Sequence, residues 1–261
     1  MPQTPLDDVE FLASSPNRVR VLEALAERAY TRPELHDVTG VTRPTLGRIL
    51  DDCETRGWVT REDRTFSLTP LGRLLVTSFA DLLGTVETTQ RLREVAPFLP
   101  LADLPFDVRR FRESTITVPH PPDVFAHLRR VGELVEDGSR IRWLGGNVYL
   151  DAVVRQRDLV GERDQRYEIV LGDEALDVVR SHEETAAVVR DVLATGNVTL
   201  YEFTGEVPFS LATIDDTALV LPYDDEGTPC ALLETADPEI RAWVVATLDE
   251  YRGRAERVTL E

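Results

Sequence analysis

Apolar residues return at helical intervals through the first third of the chain. Val19, Leu22, Leu25 and Ala26 follow Ser15-Pro16, a capping residue with a proline suited to the first helical position, and predict a helix over roughly 16–28. Thr31 with Glu34 three residues on is a capping-box pattern that opens a short helix, 32–38, with Leu35 and Val38 turned inward. Gly40 supplies a tight turn, and Thr42 caps a third helix that runs to about Arg56, with Gly57 just past its end. On that helix Leu46, Ile49, Leu50 and Cys53 share the core face, while Arg43, Thr45, Gly47, Arg48, Asp51 and Asp52 lie opposite. Two β-like runs, 58–61 and 65–68, flank the polar tip Glu62-Asp63-Arg64 and predict a hairpin. Thr69-Pro70 then opens a long helix carrying Leu71, Leu74, Leu75, Phe79, Leu82, Leu83 and Val86. That stripe is longer than one small domain needs, so part of it is expected against a partner helix or a second subunit.

Residues 96–112 hold Pro97, Pro100 and Pro105 without periodicity, as a linker or the first turns of a second domain would. Beyond them the pattern alternates: strand 114–118, helix 122–136, strand 140–144, helix 147–158, strand 166–171 and helical segments to about 195. Strands near 198–203, 209–214, 217–222 and 229–234 follow, and Asp237-Pro238 opens a last helix to about 252. The expected fold class is α+β: a winged helix-turn-helix with a long, dimerising helix over residues 1–95, a linker over 96–112, and an α/β sensor domain with a mixed sheet over 113–261.

Charge changes the picture in two ways. Asp and Glu number 47 against 29 basic residues, all of them arginine, for a net charge of −18. An acidic chain without lysine resembles the proteins of salt-in halophiles, where molar salt screens repulsion within about 3 Å. On that reading the negative charge is background and does not argue against a nucleic-acid partner. Lacking lysine, the chain also lacks the means for a phosphate-binding P-loop, a Schiff base or a His-Lys-Asp phosphodiesterase site. His36, His120, His127 and His182 show no metal-ligand spacing, and Cys53 and Cys230 read as small apolar residues, so no enzyme, metal or cofactor is expected. With no signal-like start and no run of eighteen uncharged apolar residues, the expectation is a soluble, cytoplasmic protein without a membrane partner.

The distribution of charge matters more than its sum. Residues 1–80 carry 10 Arg and 12 acids, and the remaining 181 carry 19 and 35. Within the third helix, Thr42 to Leu50 holds Arg43 and Arg48 and no acid, while Asp51, Asp52 and Glu54 sit at the far end. A helix of this kind fits the major groove of double-stranded DNA. Arg48 and Thr45 are then the base-edge candidates, Thr42, Arg43 and Pro44 lie toward phosphate, and Arg61 and Arg64 on the hairpin reach the flanking backbone or minor groove. A homodimer would present two such helices about 34 Å apart to a pseudo-palindromic operator. The alternative is a winged-helix interaction module with no DNA contact, on which these arginines are only solvated.

The run RGWVTREDRTFSLTPLGRLL, with NRVRVLEAL and TRPTLGRIL before it, resembles the winged-helix head of archaeal regulators. The segment PFLPLADLPFDVRRFRESTITVPHPPDVFAHLRRVGELV resembles regulators that carry the methanogenesis-regulator middle domain. These resemblances imply a dimeric DNA-binding protein with a sensing domain; they do not imply methanogenesis. PFSLATIDDTALVLPYDDEG is similar to the core strand pair of phospholipase-D-like folds, shared with TrmB-type regulators. Counted back from Asp215, that family's catalytic His and Lys fall on Pro208 and Ser210, so the fold is implied and the activity is not. For a small-molecule effector the candidates are strand-end residues: His120, Asp215, and Gly145, Gly146 and Asn147 with Trp143 beside them. The plainer reading of the last four is a Gly-Gly turn next to a core tryptophan.

Overall fold

A computed structural model describes residues 4–101, 104–149, 160 and 165–259. The chain divides into two compact units, Met1–Val86 and Glu87–Glu261. Among the described residues no helix is long and apolar enough to cross a membrane.

The first unit is a winged helix. Its helices are α1 (Pro5–Ala13), α2 (Pro16–Glu27), α3 (Arg32–Thr39) and α4 (Arg43–Thr55), and its sheet joins β1 (Tyr30–Thr31), β2 (Val59–Glu62) and β3 (Thr65–Leu68) in the order β1-β3-β2. A long helix, α5 (Pro70–Leu92), follows. Helix α1 lies outside the sequence expectation. Its start is held by a reciprocal cap, with the Asp7 N–H donating to Thr4 Oγ1 at 3.3 Å and the Thr4 N–H to Asp7 Oδ2 at 2.8 Å. It buries Leu12 and sets the Phe11 ring edge-on to Trp58 at 5.8 Å.

Ser15 and Thr42 stand at the N-cap positions of α2 and α4, but among the described residues neither side chain makes a capping hydrogen bond, whereas the start of α3 is capped as its sequence predicts. The Thr31 N–H donates to Glu34 Oε2 at 2.7 Å, and Gly40 ends α3 at φ +66°. One inward residue is corrected: Val38 is 55% exposed, and Thr39 is buried in its place. Thr39 follows Leu35 by four residues and so shares its face, whereas Val38 is rotated off it. The Thr39 hydroxyl is satisfied by the Leu35 carbonyl at 2.5 Å. On α4 the side chains of Leu46, Ile49, Leu50 and Cys53 are all buried with Val21, Leu22 and Leu25 of α2 and Phe66 of β3. Burial pushes the Cys53 thiol up to about 12, so it stays a thiol and packs as an apolar group.

The second unit is built on an eight-stranded mixed sheet. Its strands are β4 (Thr115–Thr117), β5 (Arg140–Gly145), β6 (Arg166–Gly172), β7 (Val198–Phe203), β8 (Phe209–Ile214), β9 (Thr217–Pro222), β10 (Leu232–Thr235) and β11 (Glu256–Arg257). Their order is β11-β7-β6-β5-β8-β9-β10-β4, with β5, β6 and β7 parallel and the other pairings antiparallel. Helices α6 (Ala126–Asp137), α7 (Asp173–Ser181), α8 (Glu183–Ala194) and α9 (Pro238–Arg254) cover it.

Period-two alternation assigns each strand's side chains to two cores. Leu144, Val170, Phe203, Leu211 and Val220 face α9 and its Ile240, Val244 and Leu248. Ile141, Tyr167, Val198, Ala212 and Leu219 face the other way, toward Val135 of α6. The 96–112 stretch carries two 3-10 turns, at Ala96–Phe98 and from Val108, and contributes Leu99 and Phe111 to the α9-side core. Helix α6 starts at Ala126 and not at 122, because 121–125 form two successive turns in which the His120 and Ala126 N–H groups both donate to the Asp123 carbonyl. Arg130 then ties α6 to β10 through two bonds to the Glu234 carboxylate, at 3.0 and 2.8 Å. The helix expected over 147–158 does not begin at 147–149, and 150–158 lie outside the described residues.

Candidate nucleic-acid interface

The exposed side of α4 is set by the four buried positions opposite it. Thr42, Arg43, Pro44 and Arg48 are exposed and Thr45 partly so, all within the first turns of the helix. The Thr42 and Thr45 hydroxyls lie 2.9 Å apart and share a hydrogen bond, which fixes their rotamers beside the helix N-terminus. Neither Arg43 nor Arg48 has an ion-pair partner among the described residues, although many other arginines of this acidic chain do. The nearest acid beyond this stretch, Asp51, is engaged by Arg32 of α3 at 3.2 Å. Sequence reading missed Arg32, which lies 19 residues away and carries no spacing signal. His36, a bystander in the sequence, holds the turn ahead of α4 through Nδ1 and the Val41 carbonyl at 2.8 Å.

The wing is a hairpin of two four-residue strands whose tip puts Asp63 at φ +53°. Arg64 is exposed and unpaired among the described residues. Arg61 is less available: its Nε donates to the Asp63 carbonyl at 2.9 Å, and its guanidinium lies 5.5 Å from the Phe66 ring. The Leu-Thr-Pro-x-Gly run that follows has a mechanical role. The Thr69 hydroxyl donates to the Gly57 carbonyl at 2.7 Å and accepts from the Gly72 N–H at 3.0 Å, while the Thr69 N–H donates to the Trp58 carbonyl. A side chain at Gly72 would put its Cβ 1.9 Å from that same Trp58 oxygen, so only glycine permits the approach.

The six strand-end candidates of the second unit do not form one site. Gly145, Gly146 and Asn147 lie at the carboxyl end of β5, whereas Asp215 lies at its start, about 17 Å along a six-residue strand. The Asp215 carboxylate accepts the Ser139 N–H at 3.0 Å and the Arg140 N–H at 2.9 Å, which makes it a clamp on the turn entering β5. His120 is exposed beside the edge strand β4, with Nδ1 3.3 Å from the Val118 carbonyl.

At Gly146 the partners are internal. Its N–H donates to the Tyr223 hydroxyl at 2.9 Å, Ser210 Oγ is 2.6 Å from that hydroxyl, and the Asn147 amide donates to the Gly227 carbonyl. Burial pushes the Tyr223 hydroxyl above its ordinary pKa. The sequence gives no signal for Tyr223, and it marks Ser210 only as the residue standing where a catalytic lysine would be. Trp143 is half-buried and packs against the α6-side core. Among the described residues, no three His, Cys, Asp or Glu side chains group to hold a metal ion.

Residues 6–91 match the model of the HVO_A0261 N-terminal domain. No curated protein matches the chain. Among solved structures it is similar to TrmBL2, described as an archaeal chromatin protein with a novel mode of DNA binding, at 16% identity and a TM-score of 0.43 over 98% of this chain and 100% of that one. It is also similar to Nuc, a phospholipase D family member from Salmonella typhimurium, at 11% identity and a TM-score of 0.42 over 56% of this chain and 99% of that one. Residues 124–254, half of the chain, match the middle domain of the methanogenesis regulatory protein FilR1, and the protein belongs to that family.

Proposed function

We propose that the protein is a transcription regulator that grips double-stranded DNA with α4 of its winged helix. The observation that carries this is the acid-free, unpaired first half of α4, where Arg43 and Arg48 stand exposed beside Thr42 and Thr45. Arg48 and Thr45 read base edges in the major groove. Thr42 and Arg43, with Pro44 beside them, contact phosphate, and Arg64 reaches the flanking backbone. Arg61 holds the wing tip and contributes less. The match of residues 6–91 to a domain that precedes a regulatory one supports the same reading.

The active species is a homodimer on a pseudo-palindromic operator. Leu71 and Leu74 of α5, 70% and 67% exposed, form part of the apolar surface it would cover. The second unit receives a signal and transmits it to the heads, a coupling typically worth about 1–3 kcal/mol. Pro208 and Ser210 at the positions of the phospholipase His and Lys favour binding there over hydrolysis.

Fluorescence anisotropy on a duplex selected from genomic DNA, over a salt series, tests the reading. Arg43→Ala with Arg48→Ala should lower affinity at least tenfold, and should reduce the salt slope by about 0.9 for each phosphate that the protein no longer neutralises. Unchanged affinity and slope would replace DNA reading by a protein-interaction role.

A further inference from the structure

Alternation on β6 and β7 sends Tyr167, Ile169, Leu171 and Leu200 toward the α7–α8 pair, which answers with Leu176, Val179 and Val192. The two sets do not close on each other. Between them lies a cavity of about 70 Å³. Well-packed interiors hold few voids larger than a water, which needs roughly 10–15 Å³ by the same measure. This one has room for about five non-hydrogen atoms.

Its chemistry is one-sided. Of twelve described lining residues, eleven are aliphatic and the other is Tyr167. That hydroxyl is already spent on Gln165 Oε1 at 2.8 Å, and the Gln165 amide on the Val135 and Gly138 carbonyls at 2.9 and 2.6 Å. Among the described lining residues no polar group is left to hold water, which needs two to four partners to be bound. An empty apolar cavity forfeits packing on every side, and an apolar guest restores it. Ile169, Val189, Val192 and Leu193 are only partly buried, so the cavity lies near solvent and a small molecule can reach it.

We propose that this cavity is a binding site for a compact aliphatic molecule, or for the aliphatic end of a larger one, and that it is the effector site of the second unit. The binding rests on the cavity alone; the effector role rests on the DNA-binding reading above. The test uses the full chain with labelled Ile, Leu and Val methyl groups, titrated with xenon and with isobutane in molar salt, and with glycerol as a polar control. Saturable shifts concentrated on Ile169, Leu176, Val179 and Val192, absent with glycerol, are the expected result. Shifts that are absent, or scattered over the surface, overturn the site. Val192→Phe fills the space and should abolish the response, with Val192→Ala retaining it. A well-dispersed Val192→Phe spectrum that still shows the wild-type shifts would place binding elsewhere. Repeating the anisotropy measurement with and without isobutane separates the two claims, since loss of DNA binding leaves the methyl titration intact and the converse also holds.

Discussion

Two glycines in helices of the first unit should respond to alanine with opposite signs. In a helix interior Gly→Ala ordinarily stabilises by up to about 1 kcal/mol, because alanine loses less backbone entropy on folding. Gly47 on α4 has nothing within 4 Å of where its Cβ would stand, so Gly47→Ala should stabilise by about 0.5–1 kcal/mol. At Gly72 the new Cβ would lie 1.9 Å from the Trp58 carbonyl oxygen and 2.7 Å from its carbon, where real Cβ atoms keep at least 3.0 Å. Helix α5 and the strand entry at Trp58 must then part by more than 1 Å. The parting strains two bonds, from the Thr69 N–H to the Trp58 carbonyl at 2.9 Å and from the Thr69 hydroxyl to the Gly57 carbonyl at 2.7 Å. One or two weakened hydrogen bonds at about 1 kcal/mol each, with overpacking strain of about 1–3 kcal/mol, outweigh the propensity gain. Gly72→Ala should therefore destabilise the winged helix by about 2–4 kcal/mol. Urea unfolding of the full chain, followed by hydrogen exchange of peptides from α4 and the hairpin, reads both variants in the same unit. If Gly72→Ala proves as stable as wild type, the close approach is not what the glycine is for.

Three further outcomes follow from the second unit. Asp237 caps α9 by accepting from the Glu239 and Ile240 N–H groups at 2.9 and 3.1 Å and also from Arg110; Asp237→Ala should cost about 1–2 kcal/mol in urea unfolding. Burial alone would raise its pKa, but bonds from Ile240, Arg110 and Glu239 hold it below the usual carboxylate range, so its contribution is present above about pH 3.9 and fades as pH falls further. His127 on α6 is 4% exposed, and neither ring nitrogen makes a hydrogen bond of ordinary geometry among the described residues. Burial pushes its pKa down more than the Pro229 backbone and Asp123 pull it up. The unfolded chain thus binds that proton more tightly, and stability should fall as pH drops through about 6.5; His127→Leu should flatten the stability–pH curve there, and an unchanged slope would exonerate the residue. Asp215→Ala should cost about 1–3 kcal/mol through the two backbone N–H groups it leaves unpaired. Unchanged melting would make Asp215 a ligand candidate again.

Much of this protein was legible in its sequence because its short-range rules agree with one another. The 3.6-residue spacing of Leu46, Ile49, Leu50 and Cys53, the Thr31–Glu34 box and the left-handed Gly40 act within a few residues, and local geometry alone decides them. The same holds for the acid-free half of α4, since a helix start and a charge count need no tertiary knowledge. Helix α1 has its own local signal in the Thr4, Pro5 and Asp7 cap and in Leu6, Val9, Leu12 and Ala13 at helical spacing, a signal that the sequence reading passed over.

What lay beyond the sequence depends on residues brought together from far apart. Strands of two residues, such as β1 and β11, carry no period of their own and exist only because β3 and β7 offer them a partner. The pairing of Arg32 with Asp51 removes a carboxylate's free charge next to the proposed reading face, across 19 residues. The close packing of Gly72 on Trp58 turns a family-like signature into a physical constraint. Strand order separated the strand-end candidates, handing Gly146 to Tyr223 and Asp215 to the Ser139 turn. The imperfect closure of α7–α8 on β6–β7 left a cavity that no periodicity predicts. Periodicity and capping, being local, determined most of the elements and the helix proposed to read DNA; long-range packing, being a matter of which surfaces meet, decided which residues are structural and where a ligand has room.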